Sequence, residues 1–191
     1  MTESETECTL LRADLRERLI RMWTECFGDS EATAREFFAC RSVNTVMLNS
    51  GGTVSAMASL VPVEVRRQGG RTSLRGFYIY GVCVGPQYRG RGLFREVMAE
   101  AESRAVIAGG GFVCLIPADE GLARTYGKMG YSSEIEPHTA LGKGNIRLLS
   151  EDFRRFAVPS GEGGKTCGMI KYLCDERADE PLAFADFMGD A

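Results

Sequence analysis

The stretch that decides the fold is Val82–Phe94, which reads Val-Cys-Val-Gly-Pro-Gln-Tyr-Arg-Gly-Arg-Gly-Leu-Phe. Its first three residues are apolar with β-branched ends, a pattern typical of the end of a strand. Gly85 and Pro86 stop that strand, and apolar residues then recur at helical spacing from Leu93 onward. The stretch therefore predicts a strand, a turn rich in glycine and arginine, and then a helix.

The predicted turn is suited to binding an anion. The first N–H groups of a helix have no partner within the helix, and the helix dipole is positive at that end. Gly90 and Gly92 lack a Cβ atom and so allow an anion to approach the backbone closely, while Arg89 and Arg91 add positive charge. We therefore expect a phosphate or a pyrophosphate at this turn.

Two common phosphate-binding motifs do not fit the turn. The dinucleotide fingerprint needs a third glycine where Arg95 stands, and the P-loop sequence Gly-Lys-Ser/Thr is absent. Residues Gln87–Gly92 instead resemble the acyl-CoA loop of the GNAT superfamily of N-acyltransferases, Gln/Arg-x-x-Gly-x-Gly/Ala. A glycine-rich turn with solvated arginines is the alternative, and the flanking strand and helix favour the acyl-CoA interpretation.

A second segment carries the same resemblance. Leu122–Tyr131 contains Tyr126, three further residues, Gly130 and the aromatic Tyr131, which is similar to the superfamily's other recurrent signature. The two signatures occur in the expected order and are joined by a strand, and the resemblance covers roughly residues 8–141. It implies a mixed α/β (α+β) fold with a mostly antiparallel, splayed central sheet flanked by helices.

Periodicity and turn residues predict the individual elements. Three antiparallel strands follow Thr45, with Gly81 as a candidate bulge and Pro62 as a kink or an edge position. We expect, in chain order, a strand at 8–12, helices at 15–27 (capped by Asp14) and from Ser30, strands at 45–50, 53–67 and 72–84, a helix at 93–108, a strand at 112–116, a helix at 122–129 and a strand at 131–141.

The chain divides into two parts on this interpretation. Residues 1–141 form the acyltransferase core, and residues 142–191 form a C-terminal extension that completes the sheet and ends in an acidic tail, helical or flexible. In the extension, Ser150 is expected to cap a helix containing Phe153 and Phe156, and Met169–Leu173 is expected to be the last strand.

Composition excludes several classes of protein. The net charge of −3 argues against a nucleic-acid-binding surface. The sequence contains no run of about 18 apolar residues, so we expect no membrane span. Seven cysteines without a Cys-x-x-Cys pair indicate reduced thiols, and a single histidine argues against a metal site. The acidic N-terminus lacks an apolar signal segment, so we expect a cytoplasmic protein; a homodimer is left open.

The resemblance implies a reaction and a proton donor. Acyl transfer from a thioester to an amine requires a neutral amine, a stabilised carbonyl oxygen and a protonated leaving thiolate. In similar enzymes the tyrosine at the position of Tyr126 donates the proton to the CoA sulfur, and a phenol with an ordinary pKa of about 10 holds that proton at neutral pH. The alternative is that Tyr126 only completes the core.

The resemblance also implies the contacts with the cosubstrate, acetyl-CoA. The backbone of Val82 and Val84 would meet the pantetheine arm, and a backbone N–H near Cys83 or Val84 would stabilise the oxyanion. Asp119, where many members have asparagine, would also contact the arm and could only accept hydrogen bonds there. The pyrophosphate would be held by the loop that begins at Gln87, through the N–H groups of Arg89, Gly90, Arg91, Gly92, Leu93 and Phe94.

The general base is the main departure from the family pattern. Many members carry a glutamate on the strand before the phosphate loop, but residues 72–86 contain no carboxylate. The alternatives are a water chain, His138 or one of several carboxylates: Asp119, Glu120, Glu134, Glu136 and the C-terminus of Ala191. Each of these carboxylates can also be interpreted as a solvated surface group. The segment Tyr126–Tyr131 is also similar to a motif of the aminoglycoside-acetylating enhanced-intracellular-survival group, which uses its chain terminus as base, although this chain is short for that group's full architecture.

These observations predict an N-acetyltransferase that moves an acetyl group from acetyl-CoA to a primary amine by direct transfer. Cys83 lies in the site, but direct attack by the amine needs no acyl-enzyme, so we expect a small buried residue there and not a nucleophile. The acceptor is a small molecule or a peptide. The alternatives are a non-catalytic module that binds acyl-CoA or a partner, and an enzyme that transfers a different acyl group.

Overall fold

The computed structural model of the chain describes residues 3–66, 73–136, 145–153, 156, 168–178 and 181–184, with the backbone alone for residues 3–12. Its α-helices are α1 (Glu3–Phe27), α2 (Glu31–Phe37), α3 (Leu93–Ile107) and α4 (Glu120–Gly127). Its strands are β1 (Asn44–Ser50), β2 (Thr53–Val65), β3 (Leu74–Val84), β4 (Phe112–Leu115), β5 (Ser132–Glu136), β6 (Ile146–Leu148), β7 (Gly168–Tyr172) and β8 (Leu182–Ala183). Within these residues, the helices are too short or too polar to cross a membrane.

The strands form one sheet in the order β1-β2-β3-β4-β7-β5-β8, and β6 pairs with β2. The pairs β3–β4 and β5–β8 are parallel, whereas the pairs that involve β1, β2, β6 and β7 are antiparallel. The predicted fold class, a mixed and mostly antiparallel sheet flanked by helices, is confirmed.

Helices cover both faces of the sheet. On one face, Trp23 of α1 and Phe37 of α2 share a core with Tyr78 and Cys83 of β3. On the other face, α3 packs its buried side chains against a second core that includes Ile79 of β3: Val97, Met98, Ala101 and Ala105. Because side chains alternate along a strand, β3 supplies residues to both cores.

The β1–β2 hairpin and the bulge in β3 are confirmed. Ser50 and Thr53 close the hairpin around Gly51 and Gly52, both with positive φ. In the β2–β3 ladder, Ser59 pairs with Tyr80 and Met57 with Cys83, so Ala58 alone lies opposite two residues, Gly81 and Val82. An extra residue of this kind is a β-bulge, and Gly81 supplies the positive φ of 61°.

Pro62 lies where β2 changes its partner along one edge. Leu60 is the last residue of β2 paired with β1, and Val63 is the first paired with β6, whereas β3 runs along the opposite edge throughout. A proline lacks the N–H needed for a ladder bond, so it is tolerated where one edge of the strand is interrupted. Pro62 therefore has an unpaired edge only locally, although β2 is a central strand of the sheet.

The predicted start of the chain is wrong in two respects. Residues 8–12 are helical, not a strand, and α1 begins at Glu3, so Asp14 lies inside the helix and does not cap it. The reason is local. Residues 3–27 contain neither glycine nor proline, and glutamate, leucine, arginine and alanine are strong helix formers. A single helix therefore continues until Gly28, whose φ is 74°.

The C-terminal part differs from expectation in its order. The strand predicted at 169–173 is β7, which lies between β4 and β5 in the sheet and is followed by β8. Ser150 accepts a hydrogen bond from the N–H of Phe153 (3.2 Å), and residues 151–153 form a turn. His138, Ala191 and the acidic tail after 184 lie outside the described residues.

Candidate functional site

The site begins where β3 and β4 part. Their parallel ladder joins Gly76 to Phe112 and ends at the pair Tyr78 and Cys114, although β3 continues to Val84. In this fully described part of the chain, no residue of β3 beyond Tyr78 pairs with β4. The two strands therefore leave a gap at the end of β3. Beside it lies a cavity of about 340 Å³.

The backbone of Val84 faces this gap. The N–H of Gly85 donates to the carbonyl of Ser55 (3.0 Å), which makes these two residues a hydrogen-bonded pair across β2 and β3. In an antiparallel ladder, the groups of the adjacent residue point to the opposite edge, which here is the gap. The Val84 carbonyl indeed accepts from Arg89 Nε (3.3 Å) and lies 3.8 Å from Cys26 Sγ, not from β2.

The glycine-arginine turn presents unpaired N–H groups at the mouth of the cavity. Gly90 and Gly92 have φ of 75° and 82°, and a Cβ atom built on either would meet nothing within 4 Å. Gly92 is the N-cap of α3, and its carbonyl accepts the first helical bonds. Among the hydrogen bonds of the described residues, none engages the main-chain N–H groups of residues 90–94. The turn thus has open space in front of a row of donors, which suits an anion.

Arginine side chains surround this row of donors. Arg89 is exposed and spans from the turn to Val84, while the Arg91 guanidinium lies over the ring of Tyr88, 5.7 Å from its centroid. A guanidinium within about 6 Å of a ring centroid is attracted to the ring by a cation–π interaction. The turn therefore combines backbone donors with two positive charges.

Tyr126 lies behind the wall of the cavity. It belongs to α4 and packs against Phe94, a lining residue, with ring centroids 5.6 Å apart. Burial raises the pKa of Tyr126 to about 12, so its hydroxyl is protonated at neutral pH. Among the described side chains, the one fully buried polar atom without a partner is Nε of Arg147. The Tyr126 hydroxyl also has no hydrogen-bond partner among the described residues. Because it is not one of the fully buried atoms without a partner, it remains in contact with solvent.

Cys83 is a buried thiol at the same cavity. Burial raises its pKa well above the ordinary range for cysteine, and the neighbouring Cys26 raises it further, whereas Arg89 opposes the shift. A thiol with a raised pKa is not the thiolate that nucleophilic catalysis needs. The environment of Cys83 therefore fits a small packing residue.

Within the described residues, the carboxylates considered as general bases lie at the surface, and three of them interact with other groups of the protein. Asp119 is the N-cap of α4, and its Oδ1 accepts from the N–H of Leu122 (2.8 Å), so α4 begins two residues earlier than predicted. Glu120 lies 3.7 Å from Arg124, and Glu134 accepts from the hydroxyl of Ser132. These three carboxylates and Glu136 are exposed, and none of them lines the cavity.

The cavity unites most but not all of the predicted cosubstrate contacts. Eight of the predicted residues line it: Val82, Cys83, Val84, Arg89, Gly90, Gly92, Leu93 and Phe94. Gln87, Arg91, Asp119 and Tyr126 do not. Four further lining residues were not predicted from the sequence: Cys26, Phe27, Tyr88 and Leu122. Cys26 and Phe27 end α1, and only the packing of α1 on β3 brings them here.

A family model described as an acetyltransferase (GNAT) domain matches residues 7–133 of the chain. This match contains both signatures and every residue that lines the cavity. No curated protein sequence matches the chain.

Two solved structures show the same fold. The GNAT family N-acetyltransferase YhbS from Escherichia coli, solved in complex with CoA, is 15% identical with a TM-score of 0.60, and the match covers 88% of this chain and 82% of that one. Aminoglycoside 6′-acetyltransferase type Ii is 17% identical with a TM-score of 0.55, covering 86% and 94%. A GCN5-related N-acetyltransferase from Kribbella flavida is 27% identical with a TM-score of 0.49; the match covers 61% of this chain and only 30% of that longer protein.

Proposed function

The chain belongs to the GNAT acetyltransferase family, and from that premise we propose that it transfers an acetyl group from acetyl-CoA to a primary amine. The observation that carries the proposal is the gap between β3 and β4 beyond Tyr78, which opens beside the unpaired N–H groups of residues 90–94. YhbS of Escherichia coli, which shares the fold, binds CoA, and this supports a CoA thioester as the acyl donor here.

The residues present fit this donor. A pyrophosphate needs several N–H donors and room for its oxygens, and the turn offers both in front of Gly90 and Gly92. A pantetheine arm needs backbone groups with free hydrogen-bonding capacity, and the N–H of Val84 points into the gap. The aliphatic walls of Val82 and Leu93 complete the cavity for the rest of the arm.

The thioester supplies an activated acetyl group, and the chain must position it and manage one proton at the leaving sulfur. The amine nitrogen forms a bond to the acetyl carbon while the bond from that carbon to sulfur breaks. We assign the proton that sulfur receives to the hydroxyl of Tyr126, and the proton that the amine releases passes to solvent. The net products are an N-acetylated amine and CoA with a free thiol, and Tyr126 regains its proton from water.

Acetyl-CoA binding and turnover test the proposal directly. Titration calorimetry with acetyl-CoA is expected to show one saturable site, and incubation with a panel of primary amines is expected to release free thiol. Binding without consumption of acetyl-CoA across the panel would instead favour a non-catalytic acyl-CoA-binding module. That second candidate has a specific motivation, because β3 (Leu74–Val84) carries no carboxylate that could serve as a base. Propionyl-CoA and longer thioesters in the same assay test the choice of acyl group.

A further inference from the structure

A carboxylate is held in a fixed place where α1 ends. Oδ2 of Asp29 accepts a hydrogen bond from Nε1 of Trp23 at 2.8 Å. Trp23 is itself immobilised, since it is 3% exposed and its ring packs against Phe37 with centroids 4.4 Å apart. An indole N–H has a single donor and a defined direction, so this bond fixes the carboxylate relative to the ring. Asp29 is thus an exposed acid whose position is fixed by one hydrogen bond.

This carboxylate lies near Tyr80, two residues beyond the last β3 residue paired with β4. Tyr80 directly precedes the bulge at Gly81, and its ring centroid lies 6.0 Å from that of Trp23. Burial raises the pKa of Tyr80, and the negative charge of Asp29 raises it further, as expected for a carboxylate near the phenol. Asp29 therefore lies on the face of the sheet covered by α1 and α2, whereas Tyr126 lies on the face covered by α3 and α4.

An exposed aromatic ring two residues before Asp29 lines the cavity. Phe27 is 43% exposed, lines the cavity and packs against Trp23 with ring centroids 4.7 Å apart. An apolar ring followed by a carboxylate two residues later offers a surface for an alkyl chain that ends in a positive charge. Among the described residues, no lysine or arginine forms an ion pair with Asp29. The carboxylate is thus available to an external cation.

The cation that Asp29 would bind differs from the nitrogen that is acetylated. Asp29 does not line the cavity that would hold the thioester, and a carboxylate that serves only as an ion-pair partner keeps an amine in its charged form, which does not attack a thioester. Resting on the proposed acetyl transfer, we propose that Asp29 binds a second, non-reacting cationic group of the acceptor. The preferred acceptors are therefore small amines that carry an additional positive charge, such as aliphatic diamines, with the alkyl chain against Phe27.

A matched pair of amines tests this assignment. Putrescine and butylamine share the same four-carbon chain and differ in the second amino group. With the wild-type chain we expect putrescine to have a kcat/KM about tenfold higher, mainly through a lower KM, as expected for a charge-assisted hydrogen bond. Asp29→Asn should remove this preference, so that the two amines then have similar kcat/KM values. Glu25→Gln, which removes an equal charge from the exposed surface of α1, is the matched control and should keep the preference.

Trp23 provides a readout that does not depend on turnover. It is the single tryptophan of the chain, and its indole N–H is bonded to Asp29. Putrescine, but not butylamine, should change tryptophan fluorescence in a saturable way, and Asp29→Asn should abolish that change.

The possible failures can be separated. Equal kcat/KM for the two amines in the wild-type chain, with no fluorescence response to putrescine, would overturn the role of Asp29 and leave acetyl transfer intact. If acetyl-CoA neither bound nor was consumed with any amine, the proposed function itself would fail, and the role of Asp29 in it with it.

Discussion

Trp23 packs directly on Gly81: a Cβ atom on Gly81 would lie 2.6 Å from Cζ3 of Trp23. Gly81 also has a φ of 61°, which residues other than glycine rarely adopt. The bulge of β3 and the end of α1 are therefore fitted to each other without space for a methyl group. This contact ties the carboxylate-bearing loop after α1 to the strand that opens the gap.

Replacing Gly81 should be costly for two separable reasons. Gly81→Ala combines the strain of a positive φ, about 1 kcal/mol, with overpacking against Trp23 of about 1–3 kcal/mol. Gly51→Ala is the matched control, because Gly51 has a φ of 57° and nothing within 4 Å of the added Cβ. Urea denaturation should show a loss of unfolding free energy clearly larger for Gly81→Ala. Equal losses would mean that the contact with Trp23 is not tight.

Loss of the Tyr126 hydroxyl should affect turnover and not binding. In Tyr126→Phe, acetyl-CoA affinity is expected to be unchanged, while kcat falls about 100-fold, as is usual when a general acid is removed. Tyr131→Phe is the control, since Tyr131 packs on Tyr126 at 5.6 Å but donates its hydroxyl to Glu102. Calorimetry and steady-state kinetics measure the two effects. Wild-type turnover in Tyr126→Phe would remove this residue from the mechanism.

The pH dependence of kcat follows from the same residue. A phenol with an ordinary pKa of about 10 would be half ionised at pH 10, whereas burial raises the pKa of Tyr126 to about 12. Because the acid must be protonated to act, activity should not decline through loss of this proton between about pH 8 and 10. Initial rates at saturating acceptor, with circular dichroism to verify folding at each pH, test this. A fall in kcat with an apparent pKa near 10 would contradict the assignment.

The sequence predicts those parts of the fold that depend on neighbouring residues. The strand, turn and helix around Gly92 follow from local spacing, and so do the hairpin at Gly51 and the bulge at Gly81. The first strand was predicted wrongly because a short apolar run inside a helix resembles a strand when no breaker marks the boundary. The position of β7 between β4 and β5 depends on pairing across the whole sheet, which local patterns do not encode.

The candidate site shows the same division. N–H donors were predicted at residues 89–94 from one local motif, and those of 90–94 are unpaired among the described residues, whereas the N–H of Arg89 donates to the carbonyl of Pro86 (3.4 Å) because the turn before it is a 3-10 helix. Phe27 reaches the cavity only through the packing of α1 on β3. Asp29 could not be recognised either, because an aspartate before a serine in a loop reads as an ordinary turn residue. Its significance depends on the bond from Trp23 and on the nearby ring of Tyr80.

The most direct test of the account is the binding of CoA to two glycine variants of α3. Gly92 and Gly109 lie at opposite ends of this helix, have φ of 82° and 80°, and have nothing within 4 Å of an added Cβ, so glutamate strains the backbone equally at both. Calorimetric titration should show that Gly92→Glu weakens CoA binding by at least about tenfold, because its carboxylate faces the pyrophosphate, and that Gly109→Glu binds as the wild type does. Wild-type affinity in Gly92→Glu would contradict the claim that this turn holds the diphosphate.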